Sequence, residues 1–98
     1  MIKLIEVYME NKLGSNKTYD MREVYINPNH VVCMYEDSSM SMKLQEGYLP
    51  KDLDKRQSFT RLQLNQGQSI RQMTVVGSIG ITSEKLGLST NKRQILHD

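Results

Sequence analysis

Ser58-Phe59-Thr60-Arg61-Leu62-Gln63-Leu64-Asn65-Gln66-Gly67-Gln68-Ser69-Ile70-Arg71-Gln72-Met73-Thr74-Val75-Val76 reads as one β-hairpin, and that reading sets the fold class. Thr60, Leu62 and Leu64 alternate with Phe59, Arg61 and Gln63, which is the period of a strand. Asn65-Gln66-Gly67 supplies the turn, because Gly67 takes a positive φ without steric cost. On the return strand Ile70 starts the pattern, and Met73, Val75 and Val76 carry its buried end. Gly77-Ser78 then opens a helix with Ser78 as N-cap, and Gly87 closes it. Ile79, Thr82, Ser83 and Leu86 share one helical face. With Gly80 inside, that helix depends on packing more than on propensity.

Upstream, Ile2–Tyr8 is a strand, with Ile2, Leu4 and Tyr8 on one side and Lys3, Ile5 and Val7 on the other. Met9–Asp20 is polar, holds Gly14-Ser15-Asn16, and reads as a connection. Met21–Ile26 and His30–Tyr35 are two further strands, read as a tight hairpin turned at Asn27-Pro28-Asn29. In the second, Val31, Cys33 and Tyr35 face one way and Val32 and Met34 the other. The sum is an α+β fold: a small antiparallel sheet of four to five strands with one C-terminal helix. Glu36–Arg56 is a polar insertion in which Ser38–Gln45 forms one or two helical turns stopped by Gly47. An excursion of that length is either functional or a plain surface loop. Residues 88–98 form a tail whose Ile95 and Leu96 suggest docking on a neighbouring subunit.

At 98 residues the chain is expected to make a single domain, and 38% hydrophobic content without tryptophan gives it a modest core. Such domains gain stability by forming homo-oligomers. Thirteen Lys and Arg against 11 Asp and Glu give a net charge of +2, too balanced to favour nucleic acid. Asn91-Lys92-Arg93-Gln94 is a local basic excess of the kind solvated chain ends carry. A lone Cys33 allows no intrachain disulfide and points to the reducing cytoplasm. Met1-Ile2-Lys3-Leu4-Ile5-Glu6-Val7 is too short and too charged for a secretory leader, and no apolar run approaches the ~20 residues a membrane span needs, so no membrane partner is expected.

Chemistry tests are negative. His30 and Cys33 fall on opposite faces of a strand, and two histidines are too few for a metal site. Cys33 reads as a buried, inert thiol without a base. Gly77-Ser78-Ile79-Gly80 lacks the lysine of a phosphate loop. Glu36-Asp37 and Asp52/Asp54 read as solvated loop charges. No catalytic residue, metal or cofactor is expected, and the protein reads as a binder and not an enzyme. For binding, Arg61 and Arg71 on adjacent strands suit an anion if both project from one face, with Phe59 or Tyr35 to stack a base. Arg56, Arg22, Asn27 and Asn29 are lesser candidates at strand ends.

Glu23-Val24-Tyr25-Ile26-Asn27-Pro28, Thr60–Gly67 and Val76-Gly77-Ser78 through Lys85-Leu86 resemble the FlbD-like flagellar and swarming-motility regulators. The Met1–Leu4 opening, Asn27-Pro28-Asn29-His30-Val31-Val32 and the run from Leu49-Pro50 to Phe59-Thr60 are similar to small proteins of tailed bacteriophages. By size and class the chain also resembles, in outline, Thoeris anti-defence sponges. That likeness implies an oligomeric phage accessory protein in the host cytoplasm that sequesters a small anionic, nucleotide-like ligand. The alternative is a regulator that binds RNA or DNA through the basic tail, or a host protein through a sheet edge.

Overall fold

Asn27-Pro28-Asn29-His30 does not turn a hairpin; it bridges the two outer edges of the sheet. The computed structural model describes residues 1–11 and 17–88. Five strands, β1 (Ile2–Asn11), β2 (Lys17–Ile26), β3 (Val31–Glu36), β4 (Phe59–Gln66) and β5 (Ser69–Val76), form one antiparallel sheet in the order β2-β1-β5-β4-β3. Helices α1 (Ser38–Gln45) and α2 (Ile79–Lys85) complete the described chain. The expected α+β architecture with its C-terminal helix is therefore present.

The pairing differs from the expected one. β2 pairs with β1 from Ile2↔Ile26 to Asn11↔Lys17, and β3 pairs with β4. Pro28–His30 make a single 3₁₀ turn, capped by Asn27, whose Oδ1 accepts the Asn29 N–H at 3.0 Å. The Asn-Pro chemistry does make a turn, but the long β1–β2 ladder has already taken β2's partner. Much of Met9–Asp20, expected as a connection, belongs to that ladder. Gly14-Ser15-Asn16 and residues 89–98, including the basic tail, lie outside the described residues.

Joining opposite edges through four residues forces the sheet to curl. Four flat inter-strand gaps would span ~19 Å. The link from Ile26 to Val31 reaches at most ~18 Å when extended, and a 3₁₀ turn shortens it further. Ile26 of edge strand β2 accordingly packs in one cluster with Leu62 and Leu64 of β4, together with Leu4, Met73, Val75 and Leu86. This is the inner face, with Leu86, at the end of α2, packed in its cluster.

The outer face has its own core: Val7 and Phe59 from the sheet, Met40 and Leu44 from α1, and Leu49. Each such fully buried side chain contributes roughly 1.5–3 kcal/mol. The insertion is thus a structural layer, tied to β2 where the Tyr19 N–H donates to the Tyr48 carbonyl at 2.9 Å.

The β4–β5 turn falls one residue later than expected. Gln66 still pairs with Ser69, leaving the two-residue turn Gly67-Gln68 with Gly67 at φ 77°. A positive φ at the first central residue is common to the type I′ and II′ hairpin turns, and glycine adopts it without steric cost. Ile70, beside that turn, is 63% exposed and does not start the buried stripe. At the other end Gly77 has φ 126°, and a Cβ there would sit 3.2 Å from Thr82 Oγ1. Ser78 caps α2 as expected, accepting from the Ile81 N–H at 3.2 Å. Thr82, Ser83 and Leu86 are buried beneath it, whereas Ile79 is exposed.

β3 carries a bulge. Val31 pairs with Leu64 and Cys33 with Gln63, so Val32 is an extra residue without a partner on β4. The bulge puts Val31 and Met34 against the inner core and turns Cys33 and Tyr35 to the outer face. Two expectations are corrected here: Val31 does not share a side with Cys33, and Cys33 is exposed. Among the described residues no helix is long and apolar enough to cross a membrane.

Candidate ligand-binding face

The outer face divides into two halves. Around Phe59 and Val76 it is covered by the insertion. Towards the β4–β5 turn it is open, and presents Cys33 and Tyr35 of β3, Arg61, Gln63 and Asn65 of β4, and Ile70 and Gln72 of β5. The register fixes this set: Tyr35 lies opposite Arg61, Cys33 opposite Gln63, Gln63 opposite Gln72, and Asn65 opposite Ile70. None of the seven is an acid, and Arg61 is the only base.

Arg61 is held from two sides. Its Nε donates to Gln72 Oε1 at 2.9 Å, and its Nη1 lies 3.6 Å from Asp37 Oδ2. Asp37 follows β3 and starts α1, and only 5% of it is exposed, which corrects its reading as a solvated loop charge. It accepts from the Thr74 hydroxyl at 2.6 Å, from the Met40 N–H at 3.0 Å and from the Ser39 hydroxyl at 3.0 Å. Burial pushes the Asp37 carboxyl up, but these three donors and the Arg61 charge outweigh it and hold it below its ordinary value.

The expected site residues separate. Arg61 and Tyr35 come together. Arg71 does not join them: its register partner is Leu64, while that of Arg61 is Thr74. Cross-strand partners share a face and neighbours along a strand alternate, so the two arginines of the hairpin project from opposite faces. Arg71 reaches instead to Glu6, with Nη2 3.7 Å from Oε2. Arg22 also serves that carboxylate, its Nε donating to Glu6 Oε1 at 3.0 Å while its guanidinium stacks 4.3 Å from the Tyr8 ring centroid.

Phe59 is fully buried in the outer core and cannot stack a ligand. Arg56 is engaged locally, its guanidinium and backbone N–H both on exposed Asp54. That bonding holds the Asp54 carboxyl below its usual range. Asn27 caps the 3₁₀ turn and lines, with His30 and Leu64, a cleft of about 440 Å³ at one end of the curled sheet. Sequence reasoning missed Gln63, Gln72 and Asp37. The glutamines share the two-residue period of Arg61, which was the available signal; a carboxylate's burial has no local signature.

Such a face can bind without reacting. Most of the five Arg61 N–H donors remain for an anion, Tyr35 offers a ring for a planar group, and each glutamine amide both donates and accepts. No group of three His, Cys, Asp or Glu among the described residues is arranged to hold a metal ion. The chain matches no family model, no curated protein and no solved structure.

Proposed function

We propose that this protein is a non-enzymatic binding module that sequesters a small anionic, nucleotide-like ligand on the open half of its outer face. The observation that carries this reading is the register pair Tyr35–Arg61, set in an acid-free row with Gln63 and Gln72. Aromatic stacking on Tyr35 would bind the base, and the guanidinium would bind a phosphate. Gln72 and Asp37 hold Arg61 in place beforehand, which lowers the entropy cost of binding. The resemblance of the Leu49–Thr60 run to phage proteins supports an accessory role in the cytoplasm of an infected host.

Thermal shift against cyclic dinucleotides, cyclic trinucleotides and cyclic ADP-ribose isomers tests the proposal. A ligand at about 100 times its Kd adds roughly 2.7 kcal/mol of stability, a rise on the order of 10 °C for a domain of this size. Arg61→Ala removes the rise, and Tyr35→Ala weakens binding at least about fivefold, the lower end of what one stacked base contributes. No shift with any of these compounds overturns the reading.

A further inference from the structure

We propose that β3 pairs antiparallel with β3 of a second copy, centred on Cys33, and so joins two sheets into one. Four observations carry this. β3 is an edge of the sheet, and no other strand of the described residues pairs with its outer side. The other edge differs: β2 is engaged by the insertion at Tyr19 and bears the Lys3–Glu23 ion pair beside it. Of the devices that keep an edge from pairing, β3 has its bulge at Val32 and an acid at its end, Glu36, but no lysine, proline or inward-pointing charge. Val32, the bulged residue, lacks a register partner on β4 and is 56% exposed, an apolar side chain on the open edge.

The register follows from alternation and charge. The Asp37 N–H donates inward to the Phe59 carbonyl at 2.9 Å, so in this ladder Asp37 and Tyr35 bond to β4 while Met34 and Glu36 direct their backbone groups outward. Centring the pair on Cys33 sets Met34 against Val32 of the second copy and brings His30 opposite its Glu36, twice over by symmetry. Both side chains are exposed and free to meet there. The same centring places the two Cys33 residues directly opposite. The pairing does not rest on the ligand reading, though it would set the two open outer faces side by side.

The full chain without ligand is the material for the test. Sedimentation equilibrium is expected to show a dimer. Diamide should couple two Cys33 thiols into a disulfide, each thiol giving up one proton and one electron as the azo bond is reduced to the hydrazine. The linked dimer should appear on a non-reducing gel and be absent in Cys33→Ser, which still sediments as a dimer. Val32→Lys places a charge on the edge outside both cores and should raise the dimer Kd at least about tenfold. Glu36→Lys should weaken the dimer and the double variant His30→Glu/Glu36→Lys should restore it, with circular dichroism unchanged throughout. A monomer overturns the proposal, as does a dimer indifferent to Val32→Lys or one that diamide does not link through Cys33. Since no nucleotide is present, these results are separate from the thermal-shift outcome.

Discussion

Arg61 and Arg71 stand on the same hairpin and each meets a buried carboxylate, yet the two pairings differ in what they leave over. On the outer face Asp37 is satisfied mainly by neutral donors: the Thr74 hydroxyl, the Met40 N–H and the Ser39 hydroxyl. Arg61 stands farther off, at 3.6 Å, with its Nε on Gln72. On the inner face Glu6 is 6% exposed and depends on two guanidiniums, Arg22 at 3.0 Å and Arg71 at 3.7 Å. Asp37 can spare its arginine; Glu6 shares both of its own. A buried charge is costly unless bonded, so the arginine that its carboxylate needs least is the one free to serve a ligand.

The largest effect that would test this contrast is at Asp37. Asp37→Ala removes the cap of α1 and strands the buried Thr74 hydroxyl, and the two losses together come to about 3 kcal/mol. Urea denaturation at neutral pH measures it. Asp37→Asn keeps the shape and removes the charge, so it isolates the titration. Because the folded carboxyl lies below its ordinary value, its stabilisation is complete above the unfolded value of ~3.9 and is lost as pH falls through the folded one. The stability gap between the native chain and Asp37→Asn should therefore narrow from pH 5 towards pH 2. A gap that stays constant, or widens, contradicts the assigned role of the ionised carboxylate.

Why this residue was invisible in the sequence is instructive. The β4–β5 hairpin, the Ser78 cap and the Ser38–Gln45 helix were legible because each is written in neighbouring residues: a two-residue period, a hydroxyl before a helix, a glycine after one. Asp37 becomes buried only when Thr74, distant in sequence, arrives beneath α1. The pairing of β3 fails to be legible for the same reason. Asn27-Pro28 encodes a turn but not which strands it joins, and the ten-residue β1–β2 ladder decides that from outside. Arg61 was legible as a candidate, but paired with Arg71 and with Phe59 or Tyr35 as the ring; the faces of Arg71 and Phe59 followed from a register and a burial that no local signal specifies.

A smaller effect is expected at Glu6. Glu6→Gln keeps an acceptor for Arg22 Nε and leaves two guanidiniums that are about half exposed and can turn to water. The cost should be about 1 kcal/mol, the scale of a single hydrogen bond to a charged group less what solvent returns. Guanidinium chloride would mask so electrostatic a term, so urea is the denaturant to use. A loss as large as that of Asp37→Ala would show that Glu6 is the more deeply committed carboxylate, and the contrast between the faces would reverse.

The smallest stability effect, and the one that bears most on function, is at Arg61. Its guanidinium is partly exposed, its ion pair is 3.6 Å long, and Asp37 retains three other donors without it. Arg61→Ala should therefore cost only about 0.5 kcal/mol, within the range of solvent-screened pairs. The same substitution should abolish the ligand-induced thermal shift. Arg61→Lys sharpens the point: it keeps the charge but not the planar fork of donors, so stability should hold while binding falls. If instead Arg61→Ala destabilises by about 3 kcal/mol or more, the size expected when a buried charge loses its partner, then Arg61 belongs to the framework that supports Asp37. Its place in the open face would then be a consequence of folding, and the ligand would have to be held elsewhere.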